Sequence, residues 1–202
     1  MTTPDAIDLQ ATVATEFTRL ADLLEARSDD AWATPSLCAG WRVREVVAHM
    51  TMAARYQPAE FFAELEACNG DFTLLSNTLA ARDGALPTAE LLGDLRDEEL
   101  HRWTPPGGGA MGALSHVVIH ALDITTPLGI PRSPDAAVLT VLDHLTAGGG
   151  CVNFGFELDS VRLEATDTEW TFGSGAVTAG AAADLVLLLS GRGTTFARAG
   201  SQ

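Results

Sequence analysis

Leu114-Ser115-His116-Val117-Val118-Ile119-His120-Ala121-Leu122-Asp123-Ile124 is the stretch on which the fold turns, because its apolar side chains point in nearly every direction when it is wound as a helix. A helix that is apolar nearly all round cannot rest on a surface with one face in water; it belongs in the middle of a helical bundle. The apolar pattern predicts a helix over residues 110–126. Pro105-Pro106-Gly107-Gly108-Gly109 before it cannot continue a helix, and Pro127 with Gly129 closes it.

Working outward, the upstream chain supplies the rest of a bundle. Leu9, Val13, Phe17, Leu20, Leu23 and Leu24 fall on one stripe of a helix over residues 8–27. An ordered connection over 28–40 leads to a second helix, 43–56, and a short one, 58–68, which Asn69-Gly70-Asp71 breaks. Leu74, Leu75 and Leu79 mark a further helix that stops near Asp83-Gly84, and helical pattern resumes from Thr88 to Trp103. Downstream, a helix over 134–146 precedes Gly148-Gly149-Gly150, read as a hinge. Beyond it the texture becomes strand-like over 160–166 and 169–172, with an extended piece near Val177 and a closing helix over 181–190. The expectation is a mainly α chain, α+β overall, with a bundle over residues 1–150 and a small α/β region over 151–202.

Charge excludes whole classes of partner. The 202 residues carry 27 acidic and 12 basic side chains, all twelve of them arginine, for a formal charge of -15. Such a surface repels phosphate backbones and anionic headgroups, so neither nucleic acid nor a membrane is an expected partner. Met1–Asp8 shows no basic segment followed by an apolar run, and no apolar stretch is long enough to span a bilayer, which leads us to expect a cytoplasmic protein, monomeric or homodimeric. Cys38, Cys68 and Cys151 are odd in number and widely spaced, and suggest neither a disulfide framework nor a cysteine-rich zinc site.

The chemistry gathers on the buried helix. His116 and His120 stand four residues apart, hence only about 40° apart around the axis and one turn along it. Asp123 falls about 60° from His120 on the same side. The three form the only ionisable stripe on this helix, and burying them unpaired would cost several kcal/mol. Two imidazoles so placed can bind one metal ion, although core histidines also satisfy themselves through backbone carbonyls or a carboxylate. A third ligand would decide between the two. On the helix over 43–56, Val43, Val46, Val47, Met50 and Ala54 form the core stripe and His49 lies on its flank, the position that faces the groove between helices. His101 and His144 read as structural or solvent-facing. Cys38 reads as a small buried hydrophobe, and Trp32 and Trp41 as packing for the connection between the first two helices.

Two motifs carry a family resemblance. Trp32-Ala33-Thr34-Pro35-Ser36-Leu37-Cys38-Ala39-Gly40-Trp41-Arg42-Val43-Arg44-Glu45-Val46-Val47-Ala48-His49 resembles the signature of the mycothiol-dependent maleylpyruvate isomerase family, part of the DinB-like superfamily of metal-binding four-helix bundles. His116-Val117-Val118-Ile119-His120-Ala121-Leu122-Asp123, running on to Pro127-Leu128-Gly129, is similar to that family's other metal-binding helix. The resemblance implies one site with His49, His116 and His120 as metal ligands. It also marks a departure, for the isomerase itself has a glutamate where this chain has His116. Three neutral imidazoles leave a dication its full charge, so Lewis acidity and preferred thiol can differ from the isomerase's. Arg162 to Asp167, Trp170, Gly173, Gly175, Asp184-Leu185 and Leu189-Ser190-Gly191-Arg192 resemble the small C-terminal region of the isomerase's relatives, in which an arginine helps form the active site; Arg192 is the residue carried over.

Together these readings predict a divalent-metal enzyme, with zinc expected and nickel or iron as alternatives. Three protein ligands leave a fourth position open for a thiol, which the resemblance implies to be mycothiol-like and which would lose its proton there and attack a small electrophile. The outcome is isomerisation of a double bond or transfer to a leaving-group carbon. Asp123 would orient a histidine or take a proton. The alternative is a non-catalytic metal-binding sensor or regulatory module, in which Asp123 closes the site as a fourth ligand. A metal-free bundle with core histidines is the third reading.

Overall fold

The computed structural model describes residues 8–192, so all of the Met1–Asp8 segment except Asp8 lies outside the described residues. The chain divides into two compact units, Met1–Gly129 and Ile130–Gln202. The first holds α1 (Leu9–Glu25), α2 (Asp29–Trp32), α3 (Val43–Met50), α4 (Met52–Arg55), α5 (Pro58–Ala67), α6 (Phe72–Asp83), α7 (Thr88–Leu95), α8 (Glu98–Arg102) and α9 (Gly109–Thr125).

Helices α1, α6 and α8 begin where an aspartate offers a partner for orphan backbone N–H groups. The Asp8 carboxylate accepts from the N–H groups of Gln10 and Ala11 at 3.1 Å and starts α1. Asp71 does the same for α6 through Leu74 N–H at 3.0 Å. Helix α1 packs on α9, α9 on α3, and α3 on α6. This is the expected bundle, with α9 at its centre: Ala113, Leu114, Val117, Val118, Ile119, Ala121, Leu122 and Ile124 are all buried. Each of the larger ones contributes about 1.5–3 kcal/mol of transfer free energy.

Two predicted helices are broken. The helix expected over 43–56 becomes α3 and α4, parted at Thr51, whose φ of -101 and ψ of 11 leave helical geometry. The helix expected over residues 88–103 becomes α7 and α8. There the Asp97 carboxylate accepts from Glu99 N–H at 2.7 Å and opens a new helix, and Leu95 and Leu100 on either side stay buried.

The second unit contains α10 (Ala136–Leu145), a 3₁₀ turn (Gly150–Phe154), β1 (Val161–Ala165), β2 (Thr171–Gly173), β3 (Ala176–Gly180) and α11 (Ala182–Leu189). Strand β1 is central, antiparallel to β2 with Leu163 opposite Phe172, and parallel to β3 with Leu163 opposite Thr178. Gly175 lies at φ +125, and a Cβ there would meet Ser160 O at 2.1 Å, so the turn between β2 and β3 admits only glycine. Helix α11 covers β1 and β3 and packs on α10. That packing places α10 with the C-terminal unit: Val138, Val141, Leu142 and Leu145 are buried within it, and the units divide at 129/130 where the sequence reading drew a boundary at 150.

Candidate metal centre

All the residues of the expected centre except Arg192 lie in the N-terminal unit. Helix α3 delivers His49. Its start is fixed by Glu45, whose carboxylate accepts the Arg42 N–H at 2.8 Å and pairs with the Arg42 guanidinium. Burial works against the Glu45 carboxylate, but the bonds and charge of Arg42 outweigh it and hold its pKa below the usual value. Helix α9 delivers His116 and His120 from one face.

The three imidazoles converge. Ring centroids lie 5.4 Å apart for His49 and His116, 5.1 Å for His49 and His120, and 4.8 Å for His116 and His120. His49 Nε2 and His116 Nε2 are 3.5 Å apart. A tetrahedral cation with ligands at about 2.0–2.1 Å needs its nitrogens roughly 3.3 Å from one another, so this pair already has the required separation. One nitrogen from each histidine lies within 4.8 Å of the other two. The donor set therefore fits a divalent ion that favours imidazole, and His49, His116 and His120 are the residues that would hold it.

Asp123 stands behind the trio. Its side chain is fully buried, and Oδ2 lies 2.8 Å from His120 Nδ1. A carboxylate on one ring nitrogen assigns the proton to that nitrogen and leaves Nε2 as the coordinating atom. The same Oδ2 accepts from the Cys38 thiol at 3.1 Å. Cys38 is half-buried and hydrogen-bonded to the centre, where its residue type alone read as a small hydrophobe. Two tryptophans form walls: Trp41 has its ring 5.1 Å from His49, and Trp103 meets His116 edge-on at 5.6 Å. Trp103 was not singled out from sequence; its place just before the Pro-Gly loop into α9 was the available signal.

The remaining histidines are elsewhere. His101 stacks on Phe17 and its Nε2 lies 2.9 Å from Leu95 C=O, a structural role. His144 is half-buried in α10 of the second unit. Arg192 is in that unit too, donating to Ser190 C=O at 2.8 Å with its guanidinium 5.9 Å from the Phe154 ring centre.

Residues 13–98, which carry the signature loop and His49, match the family model described as the mycothiol maleylpyruvate isomerase N-terminal domain. That segment is a domain of this family. The resemblance read from the two motifs is thereby borne out for the signature half; α9 lies beyond the matched segment. Among solved structures, the chain is similar to the mycothiol-dependent maleylpyruvate isomerase, with 17% identity and a TM-score of 0.59 over 93% of this chain and 88% of that one. It is equally similar to a point mutant of that enzyme, with 17% identity and a TM-score of 0.58 over the same shares. These likenesses establish the fold, a mainly α chain with a small C-terminal α/β region. No curated protein matches the sequence.

Proposed function

We propose that the protein is a divalent-metal-dependent enzyme that activates a low-molecular-weight thiol for attack on a small electrophile. The observation that carries this reading is the convergence of His49, His116 and His120, three ligands that leave a coordination position for an incoming molecule. A bound cation would supply Lewis acidity there, lowering the pKa of the thiol so that it reacts as thiolate near neutral pH. Because that thiol brings the sulfur, no cysteine of this chain has to act as nucleophile.

The chain's own residues orient and enclose. Asp123 holds His120 in one tautomer and orientation. Trp41 and Trp103 offer flat apolar walls to a conjugated acceptor and exclude water from one side of it. Arg192 is proposed, on the resemblance alone, to bind a substrate carboxylate through its two-pronged guanidinium.

Isomerisation is the favoured outcome, since both solved relatives are named maleylpyruvate isomerases dependent on mycothiol. A thiolate that adds to one carbon of a conjugated double bond leaves a single bond, which rotates. Expulsion of the same thiolate restores the double bond in the other geometry, so the thiol is not consumed. Transfer to a leaving-group carbon remains the companion chemistry, with the leaving group departing with the bond pair. A closed, non-catalytic site would require Asp123 as fourth ligand. Its bond to the far nitrogen of His120 supports an open one.

Metal analysis of the purified protein, followed by turnover assays with low-molecular-weight thiols and cis-conjugated acids, tests the proposal. Roughly one equivalent of zinc, nickel or iron per chain is expected, lost on His120→Ala, together with thiol-dependent isomerisation. A wild-type protein that binds none of these metals, even when they are supplied, sinks the reading.

A further inference from the structure

The segment that carries Cys38 is held in place by a defect at the end of α9. In a regular helix the Asp123 carbonyl would accept from the residue four positions on, but that residue is Pro127, which has no N–H. Leu37 N–H fills the place, donating to Asp123 C=O at 3.1 Å. The loop arriving there is prefolded. Ser36 Oγ donates to Trp41 C=O at 2.8 Å and accepts from Cys38 N–H at 3.1 Å, Trp41 N–H donates to Cys38 C=O at 3.0 Å, and Gly40 takes φ +80 to close the turn. Its docking brings the thiol of the next residue, Cys38, to 3.1 Å from Asp123 Oδ2 and 3.8 Å from His120 Nδ1.

We infer that Cys38 is a positioning residue of the centre: its S–H, clamped by the Leu37–Asp123 backbone bond, orients the Asp123 carboxylate so that Oδ2 accepts the His120 Nδ1 proton. The chain of bonds runs thiol to carboxylate to imidazole, with both donors converging on one oxygen. A carboxylate has two oxygens and a rotatable bond, and in a fully buried setting its orientation is set by the donors it meets. The thiol adds a donor to the oxygen that faces His120 and so favours that rotamer; its loss weakens the preference, and the Nε2–H tautomer, whose Nε2 has no lone pair to offer a cation, gains population. The metal consequence rests on the function proposed above; the tautomer consequence does not.

Two substitutions oppose this role to that of a small hydrophobic filler. Cys38→Ala keeps an apolar group and removes the donor, whereas Cys38→Ser keeps a donor and adds polarity. A filler tolerates alanine and suffers from serine; a positioning donor shows the reverse. Nitrogen-15 NMR of the metal-free proteins, at a pH where the imidazoles are neutral, reads the ratio of Nδ1–H to Nε2–H His120. We expect wild type and Cys38→Ser to share one ratio dominated by Nδ1–H, and Cys38→Ala to lower it about threefold or more, the loss of one modest hydrogen bond. The same ratio in all three proteins, or a larger change in Cys38→Ser than in Cys38→Ala, overturns the inference.

Titration with cobalt(II), followed by its visible absorption, is the second arm. Cys38→Ala should bind more weakly by up to about threefold, the factor lost from the tautomer ratio, with Cys38→Ser restored to near wild type. Wild-type protein that takes up no cobalt defeats the proposed function and leaves the tautomer ratios to decide the role of Cys38. Wild type that binds, with Cys38→Ala binding as tightly, overturns the positioning role.

Discussion

Tyr56, the only tyrosine of the chain, reports on a buried charge cluster next to the kink that follows His49. Its hydroxyl donates to Asp83 Oδ2 at 2.6 Å, and Asp83 also accepts from Arg55 Nε at 3.3 Å and Arg82 Nε at 3.2 Å. Arg55 in turn donates to Thr51 Oγ1 and Asp94 at 2.6 Å each, so α4, α6 and α7 are tied at one point. Burial raises the Tyr56 pKa above its ordinary 10.0, and the bond to Asp83 raises it further against the opposing pull of Arg82. The folded state therefore favours protonated Tyr56. Its contribution to stability is intact below pH 10 and is lost as pH climbs through the raised pKa. Absorbance at 295 nm should show a single titration above pH 10 in the wild type and a lower midpoint in Asp83→Asn. An unchanged midpoint would mean that the Asp83 bond contributes nothing. Asp83→Ala leaves Arg55 its bond to Asp94 but takes away the acceptor shared by Tyr56, Arg55 and Arg82, and should cost about 1–2 kcal/mol in urea denaturation.

At the scale of the element, α3 is eight residues long and owes its start to Glu45. Glu45→Gln leaves an acceptor for the Arg42 N–H but removes the charge that pairs with the guanidinium; Glu45→Ala removes both. We expect Glu45→Ala to lower stability by about 1 kcal/mol and Glu45→Gln by less. Because the folded-state pKa of Glu45 is lowered, the contribution is present above the unfolded value near 4.5 and fades as pH falls through the folded one. Wild type and Glu45→Gln should therefore converge in melting temperature as pH is lowered below about 4. A gap that stays constant from pH 7 to 3 would refute it. Elements were also where the sequence was most legible, and where it failed for identifiable reasons. The all-round apolar pattern of α9 and the stripe of α1 depend only on which residues are buried, and both hold. The break at Asp97 depends on a side chain that bonds to backbone and the one at Thr51 on a single residue leaving helical geometry, neither of which periodicity encodes. The histidine trio followed from spacing and motif, but Cys38 beside Asp123 required knowing that Pro127 frees a carbonyl for Leu37.

At the scale of the whole molecule, the charge of -15 shapes the surface, and the division into two units shapes what can be separated. On the proposed reading, the acidic surface would attract a cation by its field and the three imidazoles would hold it by their geometry. Surface pairs such as Arg102 with Glu98 and Glu99 are exposed and screened by water and salt. The core of the N-terminal unit thus carries its stability. His49, His116, His120, Cys38, Asp123, Trp41 and Trp103, with every bond described among them, lie between residues 38 and 123, inside a unit that ends at Gly129. A chain of that length buries enough apolar surface to fold alone. Residues 1–129, expressed separately, should therefore fold cooperatively and bind cobalt(II) within about threefold of the full-length affinity, a difference of less than about 0.7 kcal/mol. Isomerisation, which on the proposed reading uses Arg192, should be lost from the fragment. A folded fragment that binds no cobalt, beside a full-length protein that does, would mean that a ligand is supplied from beyond Gly129 and that the three histidines do not form a sufficient site.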